Sequence, residues 1–101
     1  MIDLKEKHRE EILCILSRHV PECDVRAYGS RVKGTTKPWS DLDLVVVGPE
    51  KLEKRRLFCL QEAFEESSLP FRVETLDWHT ISKEFQAVIS KRYEVLKPAG
   101  R

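Results

Sequence analysis

Two carboxylates stand one residue apart in the segment Ser40-Asp41-Leu42-Asp43-Leu44. Alternate side chains of an extended strand point to the same face, so Asp41 and Asp43 lie about 6.6–6.8 Å apart along the backbone. Two like charges at that separation repel one another, and a divalent cation between them reverses the local field. Carboxylate oxygens are hard ligands that suit Mg²⁺ or Mn²⁺ better than Zn²⁺. A pair of this kind on its own, however, is more often a turn cap beside a solvated strand edge.

A glycine–serine pair precedes these carboxylates, with ten residues between Ser30 and Asp41. Gly29 permits a sharp exit from a strand and a close backbone approach. Ser30 can donate its hydroxyl, and the amides that follow it can point at phosphate oxygens. Arg31 can grip a phosphate with two parallel hydrogen bonds. The pair is uninformative alone, but next to the two aspartates it indicates a site for a metal-bound polyphosphate.

Hydrophobic periodicity predicts the elements that must hold these residues. The two proposed site segments fall at the end of one strand and at the start of the next. An α/β (α+β) fold follows, in which helices flank a small mixed sheet of three strands. The predicted elements are a helix over 4–19, a strand over 23–28, a helical turn from 29, a strand over 41–47, a helix from 49 or 50 to before 69, a strand over 71–78, a helix over 80–90 and a short terminal segment over 93–96.

Composition limits the classes of protein to consider. The chain has 101 residues, of which 41% are hydrophobic and 35% are charged, and this predicts one soluble domain, 1–101. A formal net charge of +1 provides no bulk field for nucleic acid or an anionic membrane, so neither is expected to bind directly. Three well-separated cysteines and the lack of a signal-peptide pattern predict free thiols and a cytoplasmic location.

The combined motif resembles the signature of a known family. Tyr28-Gly29-Ser30-Arg31-Val32-Lys33-Gly34, the ten-residue spacing and Ser40-Asp41-Leu42-Asp43-Leu44 are similar to the motif of the minimal nucleotidyltransferases, in the polymerase-β-like superfamily. The likeness is strongest over residues 26–48. It implies that Gly29, Ser30, Arg31 and Ser40 bind the nucleotide, and that Asp41 and Asp43 hold metal.

The resemblance also implies a third carboxylate on a later strand, usually an aspartate, and the family pattern places it at Glu74. Asp77 is the competing residue. Strand alternation puts Glu74 on one face and Asp77 on the other, so only one of them can readily face the metals. We favour Glu74 as a catalytic and metal-binding residue, whereas Asp77 also suits the cap of the following helix.

Family membership implies a reaction and a partner. Asp41, Asp43 and Glu74 would hold two Mg²⁺ ions (Mn²⁺ is the alternative), with ATP as the substrate and AMP as the transferred group. A protein this small resembles the antitoxins of HEPN/MNT toxin–antitoxin pairs, which implies transfer to a tyrosine of a HEPN-type ribonuclease toxin. The sequence does not decide between a homo-oligomer and a hetero-oligomer.

Two other functions remain open at this stage. A catalytically degenerate antitoxin would neutralise its partner by binding alone, and the longer side chain of Glu74 gives that alternative some weight. A transferase acting on a small molecule or an RNA end would need a deeper acceptor pocket than a chain of this length readily provides.

Overall fold

The sheet contains four strands, one more than the hydrophobic patterns predict. A computed structural model describes residues 2, 4–34, 37 and 39–100. The added strand forms from the terminal segment, whose pairing partner lies far away in sequence. The elements are α1 (Glu6–His19), β1 (Asp24–Tyr28), α2 (Ser30–Lys33), β2 (Leu42–Val47), α3 (Lys54–Glu65), β3 (Val73–Asp77), a 3-10 turn (Trp78–Thr80), α4 (Lys83–Lys91) and β4 (Glu94–Lys97).

The strand order is β3-β2-β1-β4, and the sheet is mixed as predicted. β1 pairs antiparallel with both β2 and β4, while β2 and β3 run parallel. The register aligns Tyr28 with Asp43, and Asp43 with Glu74. A single row across three strands therefore carries two of the predicted site carboxylates.

One face of the sheet packs against α1 and α3. Burial alternates along β1 and β3, because every second side chain enters this core and the others face away. Each fully buried aliphatic side chain contributes about 1.5–3 kcal/mol. The cluster includes Ile12 and Leu16 of α1, Val25 and Ala27 of β1, Leu44 and Val46 of β2, and Leu60 and Phe64 of α3.

The opposite face, which carries the site row, is covered in part by α4. The ring of Phe85 meets that of Tyr28 edge-on, with the centroids 5.8 Å apart. Val45 and Ile89 are buried but do not belong to the main core cluster. Helix α4 thus packs on the sheet face that carries the site row, and its Phe85 ring holds Tyr28 in place.

Helix α1 begins two residues later than its pattern predicts, and two other helices begin three or more residues later. α3 starts at Lys54 rather than at residue 49 or 50, because the amide of Leu52 donates to the Asp77 carboxylate and keeps the preceding segment non-helical. α4 starts at Lys83, where the hydroxyl of Ser82 accepts a hydrogen bond from the amide of Phe85. Asp3, which with Glu6 fits a capping-box pattern at the start of the first helix, lies outside the described residues.

A side chain of α3 covers the outer edge of β3. The Gln61 amide nitrogen donates to the carbonyl of Val73 at 2.8 Å, and its oxygen accepts from the amide of Thr75 at 3.0 Å. The Thr75 hydroxyl donates to the same oxygen at 2.7 Å. These bonds satisfy backbone groups that an edge strand otherwise leaves open.

Cys14, Cys23 and Cys59 are free thiols, as predicted. Within the part of the chain that the structure describes, no helix combines the length and the apolar character needed to cross a bilayer.

Candidate active site

Asp43 is at the centre of the candidate site. It lies near the start of β2, with Tyr28 of β1 on one side and Glu74 of β3 on the other. All three side chains are only partly buried, whereas their neighbours along β2 and β3 point into the core. The strands therefore present a tyrosine and two carboxylates in one row on the face away from the main core.

The backbone of Gly29 lies directly against Asp43. A Cβ atom placed on Gly29 would be 2.5 Å from Oδ2 of Asp43, far inside van der Waals contact. Gly29 has φ of 83° and ψ of −153°, a region open almost only to glycine. Helix α2 begins at the next residue, Ser30. The predicted glycine–serine turn and the predicted metal ligand are thus neighbours in space.

The carboxylates of the site influence one another electrostatically. Burial, followed by the negative charges of Glu74 and Asp41, raises the pKa of Asp43 above its ordinary value. Burial, followed by the charges of Asp43 and Glu74, also raises the pKa of Tyr28 to about 12. Asp41 itself is exposed, just before β2 begins. Asp41 and Glu74 are thus close enough to Asp43 for their charges to disfavour its ionised form.

The structure separates the two candidates for the third carboxylate. Glu74 faces the site row, and its side chain is 46% exposed and ion-paired with Arg72 at 3.3 Å. Asp77 lies on the opposite face at 2% exposure and accepts backbone hydrogen bonds from Leu52 at 2.8 Å and His79 at 3.0 Å. Asp77 therefore caps the 3-10 turn and fixes the loop before α3, as the capping alternative predicted.

Asp77→Ala is expected to lower the free energy of unfolding by about 2–4 kcal/mol, because the buried amide of Leu52 and the partly buried amide of His79 lose their acceptor. The AMP transfer that the sequence motif implies should persist in the folded fraction of the variant. Urea unfolding measures the first effect, and transfer per folded molecule measures the second. Glu74→Ala is the matched variant, expected to leave stability nearly unchanged. Equal activity losses in the two variants, once corrected for folding, would contradict the separation.

Arg31 does not point into open space in this structure. It is 5% exposed, and its Nε and Nη2 both donate to the carbonyl of Ser40, at 3.1 and 2.8 Å. Its guanidinium carbon lies 4.1 Å from the centroid of the Phe71 ring. The Nε and Nη2 groups of Arg31 are thus engaged with the backbone of Ser40, and its predicted role as a phosphate ligand stays a prediction.

Ser40, the other predicted nucleotide-binding residue of this loop, also makes backbone contacts. Its amide donates to the carbonyl of Lys37 at 2.9 Å, and its hydroxyl accepts from the Lys37 amide at 2.9 Å. These bonds close a tight turn directly before Asp41. Trp39 within the turn is 68% exposed, and its ring centroid lies 5.7 Å from the Nζ atom of Lys37 in the same loop.

The donor set suits a hard divalent cation. In the described ranges, no three His, Cys, Asp or Glu side chains are close enough to hold an ion as they stand. Asp43 and Glu74 nevertheless occupy paired positions on adjacent strands, and burial together with the negative charges of Glu74 and Asp41 raises the pKa of Asp43. A cation at this position would relieve that repulsion. The carboxylates therefore fit Mg²⁺ or Mn²⁺ in their chemistry, and Asp43 and Glu74 lie on adjacent strands where one cation could contact both.

Two residues near the site were not recognised from the sequence. The sequence motif includes Tyr28 without indicating a role for it, yet the strand register puts it beside Asp43. Phe71 falls in the predicted strand 71–78, yet its ring lies against the guanidinium of Arg31. A hairpin-like pairing of β1 with β2 would have indicated Tyr28, since it directly precedes the turn. No local signal indicates Phe71.

Residues 9–96 match the family model of the nucleotidyltransferase domain. The chain belongs to this family. It is 44% identical over 96 residues to the probable protein adenylyltransferase MntA of Haemophilus influenzae, an alignment that covers 95% of this chain and 84% of that protein. The family assignment and the enzyme class, nucleotidyltransferase, agree with the sequence motif.

Solved structures confirm the fold. A toxin–antitoxin complex with AMP-PNP superposes with a TM-score of 0.75 at 21% identity, covering 90% of this chain and 73% of that one. A tri-AMPylated Shewanella oneidensis HEPN toxin in complex with MNT antitoxin superposes with a TM-score of 0.71 at 17% identity. The match covers 95% of this chain and 74% of that one. These neighbours carry the nucleotidyltransferase fold of the family.

Proposed function

We propose that this protein transfers AMP from ATP to a tyrosine hydroxyl of a HEPN-type ribonuclease toxin and thereby acts as its antitoxin. The observation that carries the proposal is the contact of Asp43 with Gly29, with Glu74 in the same row. This contact joins a phosphate-binding turn to a carboxylate pair, which is the requirement of nucleotidyl transfer. The 44% identity to MntA supports the protein acceptor.

Each site residue has a proposed role. Asp41, Asp43 and Glu74 would hold two Mg²⁺ ions, and the amides that follow Gly29 would contact the β- and γ-phosphates. When bound, the cations neutralise charge on the triphosphate and lower the pKa of the acceptor hydroxyl. Gly29 is required because any side chain there would meet the Asp43 carboxylate.

The reaction is a single displacement at the α-phosphorus. The phenolic oxygen of the partner's tyrosine forms a new bond to phosphorus as the bond to the pyrophosphate oxygen breaks. Pyrophosphate leaves with the electron pair of the broken bond. Glu74 receives the phenolic proton, since its partly exposed side chain lies on the face that an acceptor can reach.

The domain and location proposals rest on simpler observations. We propose that residues 1–101 form one domain, because the family match spans 9–96 and the strands join in one sheet. Free thiols at Cys14, Cys23 and Cys59 support a reducing, cytoplasmic location.

Incubation of the purified pair with labelled ATP and Mg²⁺ is expected to label a tyrosine of the HEPN partner. Glu74→Gln should reduce the rate about 100-fold or more, because a neutral amide can neither receive the proton nor balance a cation. Glu84→Gln, an exposed change on α4, is the matched control and should label the partner normally.

Three results would contradict the proposal. Inhibition of the partner without label would support an antitoxin that acts by binding alone. Label on an RNA end or a small molecule in the absence of the partner would support a different acceptor. Normal labelling by Glu74→Gln would remove Glu74 from the catalytic set.

A further inference from the structure

Three separate segments of the chain build the candidate site, and one buried side chain touches all of them. Arg31 belongs to α2, directly after the Gly29–Ser30 turn. It donates twice to the carbonyl of Ser40, the residue before Asp41. Its guanidinium also covers the ring of Phe71, which precedes β3 and Glu74. We infer that Arg31 is a positioning residue that fixes Asp41 relative to the glycine–serine turn, rather than a ligand of the triphosphate; the inference rests on the proposed function.

The contacts explain how this fixing works. A peptide carbonyl held by two donors of one rigid guanidinium has little freedom to rotate, and the peptide it belongs to joins Ser40 to Asp41. The turn between Lys37 and Ser40 adds two hydrogen bonds of its own, both at 2.9 Å. The backbone that enters Asp41 is therefore held from two sides.

Phe71 orients the guanidinium in turn. At 4.1 Å from the ring centroid, the planar group gains cation–π stabilisation and cannot swing toward solvent without losing it. The backbone next to Phe71 is itself tied to β2, because the carbonyl of Arg72 accepts from the amide of Leu42 at 2.9 Å. The start of β3 is thus coupled to the start of β2 by a backbone bond and by Arg31.

Burial supports positioning over phosphate binding. Arg31 is 5% exposed, while Lys33 of the same short helix is exposed to solvent. Lysine in place of Arg31 would keep the positive charge but lose the planar, two-pronged donor. The two roles therefore predict different kinetic results for the same substitution.

The test compares Arg31→Lys and Phe71→Leu with the parent. A positioning role predicts that the Mg²⁺ concentration for half-maximal AMP transfer rises about 10-fold in both, as for outer-shell changes at metal sites, with KM for ATP almost unchanged. The double variant should be no worse than Arg31→Lys alone, since Phe71 acts on the turn only by orienting the guanidinium that Arg31→Lys removes. Arg26→Lys is the matched control, because Arg26 also lies against aromatic rings but contacts Asp24 rather than the turn.

A second readout does not depend on catalysis. In a Trp78→Phe background, the fluorescence anisotropy of Trp39 reports the order of the turn. It should fall in Arg31→Lys and Phe71→Leu and stay constant in Arg26→Lys. A raised KM for ATP in Arg31→Lys with unchanged anisotropy would overturn the inference. If the parent transfers no AMP, the proposed function fails, and the anisotropy still decides the role of Arg31.

Discussion

Asp43→Asn is expected to reduce AMP transfer by about 10³-fold, because roughly 4 kcal/mol of transition-state charge stabilisation depends on a charged ligand at this position. Asparagine has nearly the same shape, so Gly29 and the strand pairing should stay as they are. Steady-state transfer to the HEPN partner at saturating Mg²⁺ measures the loss. Nucleotide binding without catalysis should remain detectable, since the glycine–serine turn is intact.

The same substitution is expected to stabilise the metal-free protein at neutral pH. Burial and like charges raise the pKa of Asp43 in the folded state, so ionising it costs stability there. That cost is absent below the ordinary pKa of an aspartate and grows as pH rises through the raised value. Melting in EDTA should therefore show a higher Tm for Asp43→Asn at pH 7 and no difference at pH 3.

Added Mg²⁺ completes the comparison. It should raise the Tm of the parent and leave that of Asp43→Asn nearly unchanged, because binding to the folded state stabilises it. Transfer by the variant at the parental rate, or an equal Mg²⁺ response in both proteins, would rule out Asp43 as a metal ligand.

Gly29→Ala is expected to be nearly as damaging as the loss of Asp43. The new Cβ would lie 2.5 Å from the Asp43 carboxylate oxygen, and alanine rarely adopts φ of 83° with ψ of −153°. The backbone conformation alone costs about 1–3 kcal/mol of stability. Displacing a ligand by about 1 Å typically costs about 10²-fold in rate. Urea unfolding and AMP transfer per folded molecule measure the two losses.

Gly34→Ala is the matched control. Gly34 also has a positive φ, 81°, but nothing lies within 4 Å of an added Cβ. Its left-handed conformation costs alanine about 1–2 kcal/mol without disturbing a carboxylate. Similar rate losses in the two variants would mean that the effect of Gly29 is general strain rather than contact with Asp43.

Features that depend on the local pattern of side chains along a strand or helix were predictable from the sequence. The alternation of β2 and β3 placed Asp43 and Glu74 on the face away from Leu44 and Asp77, and the structure agrees. This works because strand geometry has a strict two-residue period. The order of the helices and strands followed for the same reason, since each element carries its own hydrophobic period.

Features that depend on distant contacts were not predictable. β4 is a short strand whose pairing with β1 spans about seventy residues, and no local signal identifies such a partner. The late start of α3 depends on a hydrogen bond between Leu52 and Asp77. The contacts of Arg31 with Phe71 and with the carbonyl of Ser40 likewise depend on the fold, and no local pattern in the sequence indicates them.

The side-chain amide of Gln61 has a consequence for how this molecule can associate. It offers the same donor and acceptor as a peptide group, so it occupies β3 as one residue of a neighbouring strand would. A strand of a second chain cannot pair with β3 at Val73 and Thr75 without displacing the Gln61 side chain. Growth of the sheet at β3, whether in a complex or in an aggregate, would therefore cost the hydrogen bonds that Gln61 makes with Val73 and Thr75.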